Sequence, residues 1–354
     1  MADEPTNPPN DDERTQIAQP RPVADDKTEI APVDDRTEIA TGPPALPDPT
    51  APPAASVPPA APMPKPSAPV PEAQQVPVPI GTLINNNYEI KQLINAGGMG
   101  EVFRGENVFT GDAVAIKIVL PNLAHDKKII SLFQKEATVL SRLSHDAIVR
   151  YHVFTIDPVI KRPCLIMEFV DGISLASHIE RSKAMPDDAV RTMLIRLASG
   201  LAKAHRAGVV HRDLSPDNVI LREGTPDHAT IIDFGIAKSE SIGGGTLLGG
   251  QFAGKYNFVS PEQLGRFKGQ VTERSDIYSL GLVAAAACRG QVLDMGESPA
   301  DAVENRLHVP DLTGVSDALR PLIEMMLQPD PAHRPENMEA IVGWLQAQAA
   351  AEAG

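Results

Sequence analysis

The sequence predicts an α+β protein with a small β-rich lobe followed by a larger helical lobe, and a disordered tail before both. Three observations lead to this prediction. Residues 1–80 hold 21 of the 34 prolines, none of the 14 aromatic side chains and a net charge of −8 out of −14. Alternation of apolar and polar residues, typical of strands, follows this tail. From Leu175 onward, apolar residues recur at helical spacing instead.

The tail has too few large apolar side chains to offset its chain entropy, so we expect residues 1–80 to be disordered. Its sequence repeats an acidic pair, a basic residue, Thr, Glu or Gln, and Ile-Ala around Thr15, Thr28 and Thr37, with one extra Glu in the first copy. A unit this short cannot form a core, so the repeat indicates a docking or modification motif, or a solvated acidic tether. We hypothesise that the phosphorylated threonines bind a phosphothreonine-reading module such as a forkhead-associated domain.

Order is predicted to begin near Gly81, and residues 81–349 are long enough for a sizeable core. Alternation and apolar runs predict strands over residues 88–94, 101–104, 113–119 and 165–170, and an apolar stripe predicts a helix over 129–143. The strands precede most of the helices. The small lobe therefore covers about residues 81–170 and the large lobe about 171–349, with a cleft between them.

Composition excludes several classes of protein. The excess of acidic side chains argues against a nucleic-acid binder. With only Cys164 and Cys288, the chain has no disulfide framework or four-cysteine zinc site, and both thiols are expected to be reduced and buried. No apolar run approaches the length of a membrane span and the N-terminus is unlike a signal peptide, so we expect a cytoplasmic protein.

Two motifs in the small lobe are suited to binding phosphate. A turn containing Gly97, Gly98 and Gly100 lies between two predicted strands, where glycines permit close approach of backbone N–H groups to phosphate oxygens. Taken alone, this turn is better explained as a tight hairpin. Lys117 lies within an apolar strand, where its charge is unfavourable unless paired. Glu136, on the following helix, is its candidate partner, although a solvated helix face also explains that residue.

Two further motifs follow in the large lobe. The string His-Arg-Asp-Leu-Ser-Pro-Asp-Asn ends at Asn218 and contains Asp213, and Asp233 begins Asp-Phe-Gly after a short predicted strand. A carboxylate such as Asp213 can accept a proton from an attacking hydroxyl. Asn218 and Asp233 supply the oxygen atoms that Mg²⁺ prefers. All four motifs in this order leave little room for coincidence.

With these motifs, the sequence resembles a eukaryotic-type serine/threonine protein kinase in its bacterial form, over about residues 84–347. The Gly-Gly-Met-Gly turn and the Ser-Pro-Glu-Gln string at residues 260–263 indicate the bacterial form. The resemblance also implies that Asp276 supports the catalytic-loop backbone and that Arg334 pairs with Glu262. These last features disfavour a small-molecule kinase of similar fold.

The resemblance implies a role for each matching position, with ATP and Mg²⁺, or Mn²⁺ instead, as cofactors and proteins as substrates. Gly97, Gly98 and Gly100 would cover the phosphates, and Lys117, paired with Glu136, would hold them. Asp213 would orient and deprotonate the substrate hydroxyl, and Asn218 and Asp233 would bind the metal. The adenine pocket would be formed by Val102, Ala115, the gatekeeper Met167 and the backbone of Glu168 to Val170.

The chain departs from the family pattern at three positions. Asn95 replaces the first glycine of the turn, which we expect to weaken phosphate binding only modestly. Ser215 replaces a lysine that contacts the γ-phosphate in the family, and Lys255 replaces a nearby threonine. We hypothesise that Lys255 restores the missing cation from the opposite side. The alternatives are an exposed lysine in a weakened enzyme, or a nucleotide-binding pseudokinase that uses its tail for docking.

The segment after Asp233 is the predicted site of regulation. It is rich in glycine and contains Ser239, Ser241 and Thr246. The resemblance implies that Arg212 binds one of these residues when it is phosphorylated, with Thr246 preferred. A passive flexible loop is the alternative.

Overall fold

A computed structural model describes residues 78–235, 255–296 and 298–353, all within a compact unit that spans residues 69–354. The tail repeats, the predicted disorder of the tail, and Ser239, Ser241 and Thr246 lie outside this description. The side chains of Glu136 and Lys255 do as well.

The small lobe is a six-stranded antiparallel sheet with one helix. Its strands have the spatial order β1-β2-β3-β4-β6-β5. They are β1 (Leu83–Ile84), β2 (Tyr88–Ala96), β3 (Gly100–Asn107), β4 (Ala113–Val119), β5 (Tyr151–Ile156) and β6 (Pro163–Glu168). Val78 is buried in the core of this lobe, three residues before the predicted start of order.

The two faces of the sheet differ because side chains alternate along each strand. On β4, the side chains of Val114, Ile116 and Ile118 enter the core of the small lobe. Ala115 and Lys117 therefore lie on the opposite face. This alternation directs the lysine away from the apolar core and towards the large lobe.

The helix of the small lobe, α1 (Lys127–Leu140), begins two residues earlier than the apolar stripe predicts. Asp126 causes the difference, since its side chain accepts hydrogen bonds from the backbone nitrogens of Lys128 (2.8 Å) and Ile129 (3.3 Å) and caps the helix. The helix packs against the sheet through Leu132 and Phe133.

The large lobe is mainly helical. It contains α2 (Leu175–Ser182), α3 (Asp187–Arg206), α4 (Glu273–Arg289), α5 (Pro299–Glu304), α6 (Arg320–Met326) and α7 (Met338–Ala353). Helix α4 lies at its centre, where every side chain from Ser275 to Cys288 is buried. Four consecutive alanines, residues 284–287, allow the surrounding helices to pack closely.

A small three-stranded sheet, ordered β7-β8-β9, forms the surface of the large lobe that carries the predicted catalytic residues. Its strands are β7 (Ile173–Ser174), β8 (Val219–Leu221) and β9 (Ala229–Ile231). Asn218 directly precedes β8, and Asp233 lies two residues after β9. The sheet therefore sets the separation of the two predicted metal ligands.

Both cysteines are free and buried, as predicted. Burial raises the pKa of each thiol to about 12. Cys164 lies in the core of the small lobe and Cys288 in that of the large lobe. In the described part of the chain, no helix is long and apolar enough to cross a membrane.

Candidate active site

The two lobes meet where the Lys117 ammonium contacts the Asp233 carboxylate. The lysine side chain is only 14% exposed, so the prediction that its charge needs a partner is confirmed. The Phe133 ring of α1 lies 5.8 Å from the same nitrogen. The predicted Lys117–Glu136 ion pair remains a prediction, because the Glu136 side chain is outside the described residues.

Hydrogen bonds to Asp276 of α4 fix the loop that carries Asp213. The buried Asp276 carboxylate accepts hydrogen bonds from the backbone nitrogens of His211 (2.7 Å) and Arg212 (2.9 Å), and from the His205 ring (2.8 Å). Arg212 has a φ of 66°, an unfavourable conformation for a non-glycine residue, which these bonds stabilise. The predicted support of this loop by Asp276 is thereby confirmed.

Asp213, Asn218 and the Asp-Phe-Gly turn lie side by side. The Asn218 amide nitrogen donates to the backbone oxygen of Asp213 at 2.8 Å and to its carboxylate at 3.3 Å. Ile232, just before Asp233, donates its backbone N–H to the backbone oxygen of Asn218 at 2.9 Å. A Cβ atom on Gly235 would lie 2.7 Å from the Asp213 Cβ, so only glycine fits there.

His211 is buried between the catalytic loop and the Asp-Phe-Gly turn. Its ring lies 4.5 Å from the Phe234 ring, its Nδ1 accepts from the Asp213 backbone (3.2 Å), and its Nε2 faces the Ile232 oxygen (3.3 Å). Burial lowers the pKa of His211 although three carboxylates, those of Asp276, Asp213 and Asp233, oppose the shift. The ring is therefore neutral, with its proton on Nε2.

The predicted adenine-binding residues lie along neighbouring strands. Val102 pairs with Lys117 across β3 and β4, and Ala115 pairs with Met167 across β4 and β6. Met167 is buried, and Val170 packs on the core of the large lobe. Strand β6 ends at Glu168, so residues 168–170 form the hinge segment between the lobes.

The glycine turn divides into two parts. A Cβ atom on Gly98 would have nothing within 4 Å, and one on Gly97 would meet only the Gly100 backbone oxygen at 3.9 Å, consistent with a surface that receives a ligand. Gly100 packs against β4, and a Cβ atom there would lie 2.5 Å from the Ile118 carbonyl oxygen. Asn95, which replaces the first glycine of the family, pairs with Val102 in the β2–β3 ladder.

The metal site predicted at Asn218 and Asp233 fits a divalent cation that also binds phosphate. Because the Asn218 amide nitrogen binds Asp213, the oxygen remains as the acceptor atom of that side chain. Within the described ranges, no three His, Cys, Asp or Glu side chains are grouped closely enough to hold a metal. One carboxylate and one amide oxygen would need further oxygen ligands, which the phosphates of a bound nucleotide would supply.

The sequence did not reveal the ion pair between Glu168 and Arg222. The Glu168 carboxylate accepts from the Arg222 guanidinium at 2.8 Å, across 54 residues of chain. Burial, the largest single influence, raises the pKa of Glu168, but the hydrogen bonds and charges of Arg222 and Arg150 together outweigh it and the net shift is downward. An arginine directly after a short strand that follows Asn218 was the available signal, but no pattern indicated its partner.

Comparisons with known proteins agree with this geometry. The family model of the protein kinase domain matches residues 88–344. The serine/threonine-protein kinase Pkn1 of Myxococcus xanthus is 33% identical over 288 residues, which are 79% of this chain and 40% of the relative. The probable serine/threonine-protein kinase PknB of Lactococcus lactis is 34% identical over 224 residues, 62% of this chain and 34% of the relative.

The chain belongs to the protein kinase family. It spans less than half the length of these two bacterial relatives. Among solved structures, the kinase domain of PknI from Mycobacterium tuberculosis has a TM-score of 0.59 at 24% identity, covering 77% of this chain and 99% of that one. Rad53 in complex with AMP-PNP has a TM-score of 0.61 at 23% identity, covering 73% and 65%. The predicted two-lobed kinase fold is confirmed.

This kinase also contains the buried ion pair that the resemblance implied. Arg334 binds Glu262 through two hydrogen bonds of 2.8 and 3.0 Å, and neither side chain is exposed. The Glu262 carboxylate accepts a third bond, from Ser275 of α4, at 2.7 Å. The pair joins the segment before α4 to the segment before α7.

Proposed function

We propose that this chain is an ATP-dependent serine/threonine protein kinase that uses Mg²⁺, or Mn²⁺ in its place. The observation that carries the proposal is the convergence of Lys117 and Asp233 with Asp213 and Asn218 of the loop that Asp276 fixes. Family membership supports it. ATP and protein substrates are cytoplasmic, so we propose that the kinase domain acts there.

In the proposed reaction, the hydroxyl oxygen of a protein Ser or Thr attacks the γ-phosphorus of ATP, and the bond to the bridging oxygen breaks to release ADP. Asp213 accepts the hydroxyl proton. Its carboxylate is oriented by Asn218, whose amide nitrogen lies 3.3 Å away. Positioning and charge neutralisation supply most of the catalysis in such transfers.

Lys117 and Asp233 supply opposite charges to the phosphate site. With nucleotide bound, Lys117 would contact a phosphate and Asp233 a divalent cation, in place of their contact with each other. Asn218 and Asp233 would hold the cation, which would neutralise phosphate charge. Glu136 is proposed to orient Lys117, and Gly97, Gly98 and Gly100 to cover the phosphates.

The test is incubation of the purified chain with ATP and Mg²⁺, followed by intact-mass measurement and a generic protein substrate assay. We expect wild-type protein to gain phosphoryl groups. Asp213→Asn should transfer them at least about 100-fold more slowly, since it loses the proton acceptor. Nucleotide binding without any transfer by wild type would favour the pseudokinase alternative, which Ser215 keeps open.

We propose that Lys255 supplies the cation that Ser215 lacks. The backbone N–H of Asn218 donates to the backbone oxygen of Ser215 at 3.0 Å, so Ser215 is part of the catalytic loop itself. Lys255→Ala should lower kcat, and the double change Ser215→Lys/Lys255→Thr should restore it. Lys268→Ala, an exposed lysine nearby in sequence, is the control. Full activity of Lys255→Ala would refute the relocation.

We further propose that the tail threonines recruit a forkhead-associated domain once phosphorylated. The three repeats around Thr15, Thr28 and Thr37 support this proposal. Singly phosphorylated tail peptides should retain such a domain, whereas unphosphorylated peptides should not. Equal retention by both would leave the tail as an acidic tether.

A further inference from the structure

We propose that Arg222 is a positioning residue for the nucleotide, and that it fixes the hinge segment relative to the strands that carry the metal ligands. The inference rests on the proposed ATP site and deepens it. Its structural basis is the hinge clamp, formed by Glu168, Arg222 and Thr230.

One guanidinium makes both contacts of the hinge clamp. Arg222 Nη1 donates to Glu168 Oε1 at 2.8 Å, and Arg222 Nε donates to Thr230 Oγ1 at 3.0 Å. Thr230 is fully buried and its hydroxyl donates onward to the His228 oxygen at 3.2 Å. The acceptors lie in different directions, so they match the fixed fork of an arginine better than the single ammonium of a lysine.

The three residues belong to three parts of the proposed site. Glu168 ends β6 and begins the hinge segment, whose backbone is proposed to bind adenine. Arg222 directly follows β8, the strand that starts after Asn218, and Thr230 lies in β9, three residues before Asp233. The hinge clamp therefore joins the adenine end of the site to both proposed metal ligands through one side chain.

The hinge end of the clamp has a second anchor. The backbone nitrogen of Arg150 approaches the other carboxylate oxygen of Glu168 at 3.4 Å, and the Glu168 nitrogen donates to the Arg150 oxygen at 2.9 Å. Glu168 and Arg222 are each about one-third exposed, at 35% and 30%. Solvent thus weakens the ion pair, and its effect is on position rather than on overall stability.

Two single changes should weaken nucleotide binding without removing any group that contacts the nucleotide. Arg222→Met keeps the length of the side chain and removes both donors, and Glu168→Gln keeps the hinge backbone. We expect each to raise the Kd for Mg·AMP-PNP and the KM for ATP by about 3–10-fold. The KM for a peptide substrate should stay within about twofold, because the peptide does not contact the hinge.

The experiment measures the Kd of Mg·AMP-PNP by calorimetry and the steady-state constants for ATP and peptide separately. Arg206→Met is the matched control, since it breaks an exposed ion pair with Glu339 (2.5 Å) on α3 and α7, away from the site. The double variant Glu168→Gln/Arg222→Met should be no weaker than either single one. Arg222→Lys should recover only part of the loss.

The inference would be overturned by an unchanged Kd in both single variants, by an equal rise in the KM for the peptide, or by additive losses in the double variant. A rise in kcat at unchanged Kd would also overturn it, because the pair would then restrain lobe movement rather than position the hinge. Wild-type protein that does not bind Mg·AMP-PNP at all would instead refute the proposed function. Kd measurement requires no phosphoryl transfer, so the two failures are distinguishable.

Discussion

His211 is a neutral histidine surrounded by carboxylates. Its Nδ1 accepts a hydrogen bond from the Asp213 backbone N–H, so a proton added to Nδ1 would point at another donor hydrogen. Burial, the largest influence, lowers its pKa below the ordinary value of 6.5. The residue thereby links the catalytic loop to the Asp-Phe-Gly turn through a ring that is neutral at physiological pH.

This arrangement predicts a pH dependence of stability. The unfolded chain takes up a proton at His211 below pH 6.5, whereas the folded chain resists it. The stability that neutral His211 contributes is therefore fully present above pH 6.5 and is lost as the pH falls. Below that pH, the free energy of unfolding decreases by at most about 1.4 kcal/mol per pH unit. Urea unfolding from pH 8 to pH 5 should show a flatter profile for His211→Phe than for wild type.

The profile of the variant should still rise with pH, because burial also lowers the pKa of His145, which both proteins retain. Parallel profiles for the two proteins would show that His211 does not titrate differently in the folded and unfolded chains.

At the scale of elements, packing against β4 fixes the end of the glycine turn at Gly100. Gly100 pairs with Val119 at the end of the β3–β4 ladder, and the missing side chain permits the close approach of Ile118. Lys117 is adjacent in the same strand. The third glycine of the turn is therefore required by the sheet itself.

Gly100→Ala should lower the free energy of unfolding by about 1–3 kcal/mol, because the added methyl group meets a backbone oxygen that cannot move without displacing β4. Gly98→Ala is the matched control for stability, since nothing lies within 4 Å of its Cβ position. Urea denaturation of both variants checks this. An equally small change in both would mean that the strands separate at little energetic cost.

The same elements explain how much the sequence revealed. The apolar run of β4 predicted the bounds of that strand, and the charge of Lys117 within the run predicted that the lysine is paired. Asp126 was an available N-cap signal for the start of α1. Strand β5 was not predicted, since Val153 and Ile156 are exposed and the burial contrast along it is weak. The Glu168–Arg222 pair joins distant, partly exposed residues, which no local pattern encodes.

At the scale of the whole molecule, the large lobe is organised around α4 and the ion pair beside it. Arg334 also donates to the backbone oxygens of Gln328, Arg274 and Pro329, at 2.7–2.9 Å. Its guanidinium lies 4.8 Å from the Tyr278 ring, and burial raises the pKa of that tyrosine to about 12. One side chain thus joins the Glu262 turn, α4 and the segment before α7.

Removing one charge of this pair should be far more damaging than removing one charge of an exposed pair. Arg334→Met leaves the Glu262 carboxylate buried without its counterion, and we expect the free energy of unfolding to fall by about 3–5 kcal/mol. Arg206→Met, which breaks the exposed Arg206–Glu339 pair, should lower it by no more than about 1 kcal/mol. Urea denaturation of both variants provides the comparison. Glu262→Gln/Arg334→Met should recover part of the loss, because the unpaired charge is gone. Similar small losses in the two single variants would show that water or a backbone shift solvates Glu262, and that the pair does not organise the lobe.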